Sequence, residues 1–191
     1  MSEMDPASVV LAINVMKKPQ SYVILGSLLS FGSKMNTELM NDLIDVSLFA
    51  QLAASYSYDR LKKAEDWYKE YFKFMNMLGW SSHEFHFVSF KSHEEVFEIS
   101  TAVTDGAKKL LPDNKEILAA IESTFEAVKK ADSKTVEFFN SNCSGGSNGN
   151  FQVGTCSEDK SGIITMVSVN DYFTTEEKIK DFIFFKFKNT K

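Results

Sequence analysis

Apolar positions along this chain follow a helical period over most of the first 140 residues and shorter strand-like runs after that. The clearest segment is 58–78. There Leu61, Ala64, Trp67, Tyr68, Tyr71, Phe72, Phe74, Met75 and Leu78 fall on one side of a helical wheel. Lys62, Lys63, Glu65, Asp66, Lys69, Glu70 and Lys73 take the other side, and only Met77 is out of place. Gly79 then stands where a helix C-cap belongs. Residues 114–130 repeat the pattern with a stripe of Ile117, Leu118, Ile121, Phe125 and Val128, and a shorter helix is expected over 133–140. Residues 37–54 are apolar nearly all round, broken by Glu38, Asp42 and Asp45. A helix of that kind is expected at the centre of a fold.

The remaining segments complete the outline. Asp5-Pro6 is a helix start signal, and a short helix over Val9, Val10, Ile13, Val15 and Met16 should end at Lys17-Lys18-Pro19. Residues 21–31 fit a short buried helix or a strand equally. Residues 84–90, rich in aromatic and β-branched side chains, read as a strand. Ser92 and Glu95 form a capping box for a helix that carries Val96, Ile99 and Val103. Residues 151–156, 162–169 and 182–188 are strand-like. Helices gathered early and strands late predict an α+β fold. The helix-rich N-terminal two-thirds would pack on a small, mainly antiparallel sheet of the C-terminal strands plus the strand near 84–90. A single domain over 1–191 is expected, with a flexible connector at about 141–150.

Composition narrows the function classes. The 191 residues are 43% hydrophobic and 25% charged, a globular profile, and the 17 Phe suit an aromatic core. Net charge is −5, Arg60 is the only arginine, and the lysine pairs are scattered, which argues against nucleic acid as a partner. The N-terminus has its acids first and its lysines after the apolar run, the reverse of a secretory signal. The longest apolar run, 22–31, is about half of a membrane span. A cytoplasmic protein, or one exported by a signal-independent route, is expected.

The stretch SNCSGGSNGNFQVGTC, residues 141–156, is chemically the most suggestive. Its glycines follow a helix and lead into a strand, the wrong order for a phosphate cradle, and no GK[ST] is present. Cys143 as a nucleophile would need an ordered, electropositive setting. A Cys143–Cys156 disulfide would need an oxidising compartment. A mobile connector is therefore the expectation. His83, His86 and His93 lack metal-ligand spacing, and the adjacent carboxylates Glu94–Glu95 and Glu176–Glu177 point apart. No metal, cofactor or catalytic constellation is expected.

Association is the leading functional expectation, with a membrane surface or a protein partner. The residues singled out are Tyr22, Val23, Ile24, Leu25 and Leu28 in the N-terminal apolar segment, with Phe182, Phe184 and Phe185 in the last strand. The layout of helices before a β-rich end is similar to that of small membrane-active toxins, at the level of fold alone. The alternative is a carrier or sensor of a small apolar ligand held between helices and sheet by Trp67, Tyr71, Phe74 and Met75. A thiol- or histidine-dependent enzyme ranks third.

Overall fold

A computed structural model of the chain describes residues 10–12, 20–32, 35–81, 88–89, 96–97, 99–110, 115–174 and 187–188. The elements run β1 Val10–Ala12, β2 Ser21–Ile24, β3 Ser27–Phe31, α1 Thr37–Ser57, α2 Ala64–Met77, β4 Val88–Ser89 and β5 Val96–Phe97. They continue with α3 Ile99–Leu110, α4 Lys115–Lys129, α5 Ser133–Cys143, β6 Ser144–Gly145, β7 Asn148–Glu158, β8 Ile164–Thr174 and β9 Phe187–Lys188. The fold is α+β, as the segregation of helices and strands predicts.

The main sheet has the order β1-β2-β3-β7-β8-β4, and β6 pairs with the start of β7. Most pairs are antiparallel, but β3 runs parallel to β7 and β4 parallel to β8. The long β7–β8 hairpin carries the expected strands: β7 extends past 151–156 at both ends, and β8 begins at Ile164 and runs on beyond 169 to Thr174. Residues 88–89, inside the expected 84–90 strand, join the sheet as β4. The described end of the last predicted strand, β9, pairs instead with β5 in a separate ribbon.

Both faces of the sheet are covered. Val23, Leu28, Phe151 and Val153 pack with Ile117, Ile121, Phe125, Val128 and Phe139 beneath α3, α4 and α5. Ile24, Leu29, Phe31 and Cys156 pack on the other side with Met40, Leu43 and Ile44 of α1. Trp67, Tyr68, Tyr71 and Met75 of α2 then close against Ala50 and Ala54 of α1. A sheet covered on both faces explains why residues 21–31 resist assignment by pattern: both sides of the strand are apolar, so alternation vanishes. They form the β2–β3 hairpin, and every residue of β3 is buried. Ser27 and Ser30 are tolerated there because each hydroxyl bonds across to β7, to Gln152 Oε1 at 2.8 Å and to Thr155 Oγ1 at 2.8 Å.

Several expectations change. Residues 10–12 form β1, paired with β2, where a short helix was predicted; Val10, Leu11 and Ala12 extend the sheet edge. Val96 lies in β5, and the helix starts at Ile99. The predicted 58–78 helix begins only at Ala64. Asp59 Oδ1 accepts from the backbone N–H groups of Leu61 and Lys62 at 2.9 and 3.0 Å, a local turn that competes with the helix. Its C-terminus is as expected, with Gly79 at φ 96°. Gly79 and Trp80 donate to the Asn76 and Met75 carbonyls, both at 3.1 Å, which completes a Schellman motif.

The 141–150 segment takes the form of the last turn of α5, strand β6, a turn at 146–147 and the start of β7. Its small residues allow close packing. Gly149 lies beneath the Phe173 ring, where a Cβ would overlap the aromatic carbons. Gly149→Ala is therefore expected to cost about 1–3 kcal/mol through overpacking, read as a lower urea midpoint at unchanged slope. An unshifted midpoint would mean that Phe173 can move aside freely.

Candidate functional site

The turn between α1 and α2 places Arg60, the lone arginine of a lysine-rich chain, against the tip of the β2–β3 hairpin. Its Nη1 donates to Gln51 Oε1 on α1 at 2.7 Å, and its Nη2 donates to the Gly26 carbonyl at 2.7 Å. The guanidinium carbon lies 4.4 Å from the centroid of a Trp67 ring on α2, a cation–π stack. The Arg60 carbonyl accepts from Asn150 Nδ2 of β7 at 2.7 Å, and the Tyr68 hydroxyl donates to Asn150 Oδ1 at 2.7 Å. Burial of the Tyr68 hydroxyl pushes its pKa upward, so it stays a donor. One residue thus ties α1, α2, the hairpin and the sheet together.

The hairpin tip is shaped for this contact. Leu25 has φ 52°, a left-handed conformation that costs a non-glycine residue about 1–2 kcal/mol. Gly26 follows it, and a Cβ there would come within 2.9 Å of the Arg60 guanidinium and of the Asn142 carbonyl. The Gly26 carbonyl also accepts from the Gln152 N–H at 3.2 Å and meets Cys143 Sγ at 3.5 Å. Gln51 Nε2 and Arg60 Nε are buried with no partner, so the knot retains donor capacity. Gln152 continues the polar line across the sheet, donating from Nε2 to Ser168 Oγ at 3.0 Å.

Outward from this knot lies a surface that the sequence pattern misassigns. Helix α1 is not central: it forms part of an outer layer. Its buried flank is Met40, Leu43, Ile44, Ser47, Ala50, Gln51 and Ala54. The opposite flank is exposed at Glu38, Asp42, Asp45, Phe49, Leu52 and Tyr56. Phe49 is 52%, Leu52 41% and Tyr56 94% exposed. Phe49 meets Phe74 of α2 edge-on at 5.9 Å, and beyond Phe74 the helix end exposes Met77 and Leu78 at 71% and 44%. The apolar surface therefore crosses from one helix to the other.

The residues singled out from sequence fall in different places. Val23, Ile24 and Leu28 are core residues of the central hairpin, while Tyr22 and Leu25 are half-buried beside them. Phe182, Phe184 and Phe185 lie outside the described residues, as do His83, His86 and His93. Trp67, Tyr71 and Met75 are buried and fill the α1–α2 layer, with Trp67 stacked on Tyr71 at 5.5 Å, and Phe74 reaches the surface. Cys143 and Cys156 are both free and buried, in clusters on opposite faces of the sheet, so no disulfide joins them. Burial raises both thiols, Cys156 to about 12, the reverse of what a nucleophile needs. Among the described residues the structure brings together Arg60, Gln51, Tyr68, Asn150 and Gln152. Sequence reading missed this group, although a single arginine and a glutamine on an apolar flank were visible signs.

Asp171 on β8 sits opposite Phe151 and is nearly buried; desolvation pushes its carboxyl up to about 6. The folded state thus favours the neutral acid more than the unfolded chain does. The stability from this preference is complete below about pH 4 and is lost as pH rises through about 6. Asp171→Asn should leave stability unchanged near pH 4 and raise it by about 2–3 kcal/mol near pH 8, measured by urea unfolding at both. An equal effect at both pH values would remove burial as the cause. Arg60→Lys is expected to lower stability by about 2–4 kcal/mol, because a lysine cannot keep two aligned charge-assisted bonds and the indole stack. The same unfolding assay reads it, and an undiminished midpoint would show the knot to be dispensable.

Comparison with protein-family models, with curated proteins and with solved structures finds no match to this chain.

Proposed function

We propose that this protein acts by association with a protein partner, through the outer face of α1 and the adjoining end of α2. The observation that carries the reading is the exposed run Phe49, Leu52 and Tyr56, continued by Met77 and Leu78. Large apolar side chains gathered on one outer face cost solubility unless another surface covers them, and such patches mark interaction sites. Of the N-terminal residues first expected to play this role, Val23, Ile24 and Leu28 are committed to the core, and Tyr22 and Leu25 are half-buried. Helix α1 carries the exposed apolar residues instead, on the side turned away from its buried flank.

A membrane surface suits this face less well. Glu38, Asp42 and Asp45 lie on the same flank, and α1 contains no lysine or arginine to offset them. Carboxylates so placed are repelled by an anionic bilayer. Among the described residues no helix is long and apolar enough to cross a membrane. The binding of a small apolar ligand within the α1–α2 layer would require Trp67, Tyr71 and Met75 to leave the positions they fill.

The test compares wild type with Leu52→Ser/Tyr56→Ser. Both side chains touch solvent, so the variant should keep its unfolding free energy within about 1 kcal/mol. Affinity capture from the cells that make the protein is expected to lose its specific companions in the variant. Capture of the same companions at the same yield would overturn the assignment of this face.

A further inference from the structure

We infer that the outer flank of α1 is built to receive one helix of a partner protein, apolar along one half of its contact stripe and basic along the other. This inference rests on the reading of that flank as the association surface and adds the chemistry of what it binds.

The argument begins with spacing. The six outward residues Glu38, Asp42, Asp45, Phe49, Leu52 and Tyr56 follow one another by alternating steps of four and three positions, and all six are exposed. That is the heptad spacing with which two helices stay in register along a shared seam. A lone helix on a sheet needs only its inner stripe, and α1 already has one in Met40, Leu43, Ile44, Ser47, Ala50 and Ala54. Apart from the edge of Phe49 that meets Phe74, no described element covers the outer stripe, which forms a second seam. From Glu38 to Tyr56 it rises about 27 Å, matching a partner helix of about five turns.

The seam is chemically divided. Its first three positions are carboxylates and its last three are Phe, Leu and Tyr. Two of the three carboxylates of the neighbouring helix are already engaged, Glu65 with Lys69 at 2.7 Å and Glu70 with Lys73 at 2.8 Å. Glu38, Asp42 and Asp45 have no ion pair with any described residue. A partner helix with leucine-like side chains over Phe49, Leu52 and Tyr56 and lysine or arginine over Asp42 and Asp45 satisfies both halves. A second copy of this chain does not, because its own seam brings the same three carboxylates and no base. Tyr56 adds a hydroxyl and an aromatic face at the apolar end, the residue type that anchors helical interfaces.

The experiment uses the full-length chain and a pair of helical peptides spanning three heptads. One carries Leu at the core positions of one half and Lys at those of the other; the second has Glu in place of each Lys. Both orders of the two halves are made, because the direction of the partner helix is open. Binding is followed by fluorescence anisotropy at low salt. The Lys peptide in its better order is expected to bind at least about tenfold more tightly than its Glu counterpart, the sum of a few modest charge contacts. That preference should shrink at about 1 M salt and reverse in Asp42→Lys/Asp45→Lys. Glu38 is left in place because an acid in the first turn supports the helix itself.

Binding of both peptides with equal affinity, or of neither, would overturn the inference. So would a charge preference that survives the reversal variant, or a dimer in light scattering that Leu52→Ser/Tyr56→Ser dissolves, which would give the seam to a second copy. Tight binding to anionic vesicles in place of the Lys peptide would give it to a membrane. The association reading fails separately. If cellular companions depend on Leu52 and Tyr56 but peptide charge does not matter, only the basic-helix assignment falls. If the companions do not depend on those residues, the surface itself is wrong.

Discussion

A guanidinium inside a largely apolar layer is held only if its hydrogen bonds and its charge are both answered locally. In this protein Arg60 is answered by two neutral oxygens, from Gln51 and Gly26, and by the face of Trp67. No described carboxylate pairs with it. The partners belong to separate elements, so both Nη groups and the cation face are answered only when α1, α2 and the hairpin are all in place, with Asn150 of β7 holding the Arg60 carbonyl from the other side. Apolar packing alone tolerates sliding of one layer over another. Directional bonds to a half-buried cation do not, and they fix how the α1–α2 pair sits on the sheet.

That constraint reaches the surface. The seam on α1 lies on the flank opposite Gln51 and Ala54, so whatever locks the inner flank also locks the outer one. A binding face carried on an element anchored in this way meets its partner with little loss of conformational freedom. The left-handed Leu25 fits the same picture. Its backbone cost is accepted because the hairpin tip must present the Gly26 carbonyl to Arg60 and leave room for the end of α5.

Much of the scaffold was legible in the sequence. Helices with one clean apolar stripe, α2 and α4, were visible because each packs on one side only. The Gly79 cap was visible because a helix end needs a left-handed residue. The β7–β8 strands were readable, since β8 keeps a partly exposed face. Legibility failed where burial is two-sided. Residues 21–31 carry no alternation because helices cover both faces, and α1 reads as central because Phe49, Leu52 and Tyr56 on its outer seam add apolar positions to those of its core flank. The glycines and asparagines of 141–150 suggested slack chain, but Gly149 makes room for Phe173 and Asn150 bridges Tyr68 to Arg60. Composition registers small and polar residues without registering whether a neighbour needs the space. The polar knot was hidden for a related reason: Gln51, Arg60 and Asn150 meet only through the tertiary fold.

The parallel pairing of β3 with β7 has a bearing on how the chain is made. Ser27 and Gln152, which exchange a side-chain bond across that pair, are 125 residues apart. During synthesis the N-terminal hairpin emerges early, apolar on both faces, and its central neighbour is not yet translated. Helices α1 and α2 can cover one face in the meantime, but Arg60 waits for Asn150 and Leu28 for Val153. Contacts so distant in sequence are slow to form and leave strand edges open while they do. The nascent chain thus carries this hairpin with one face and one edge open until β7 has left the ribosome, and its yield in a cell depends on what shields that hairpin in the interval.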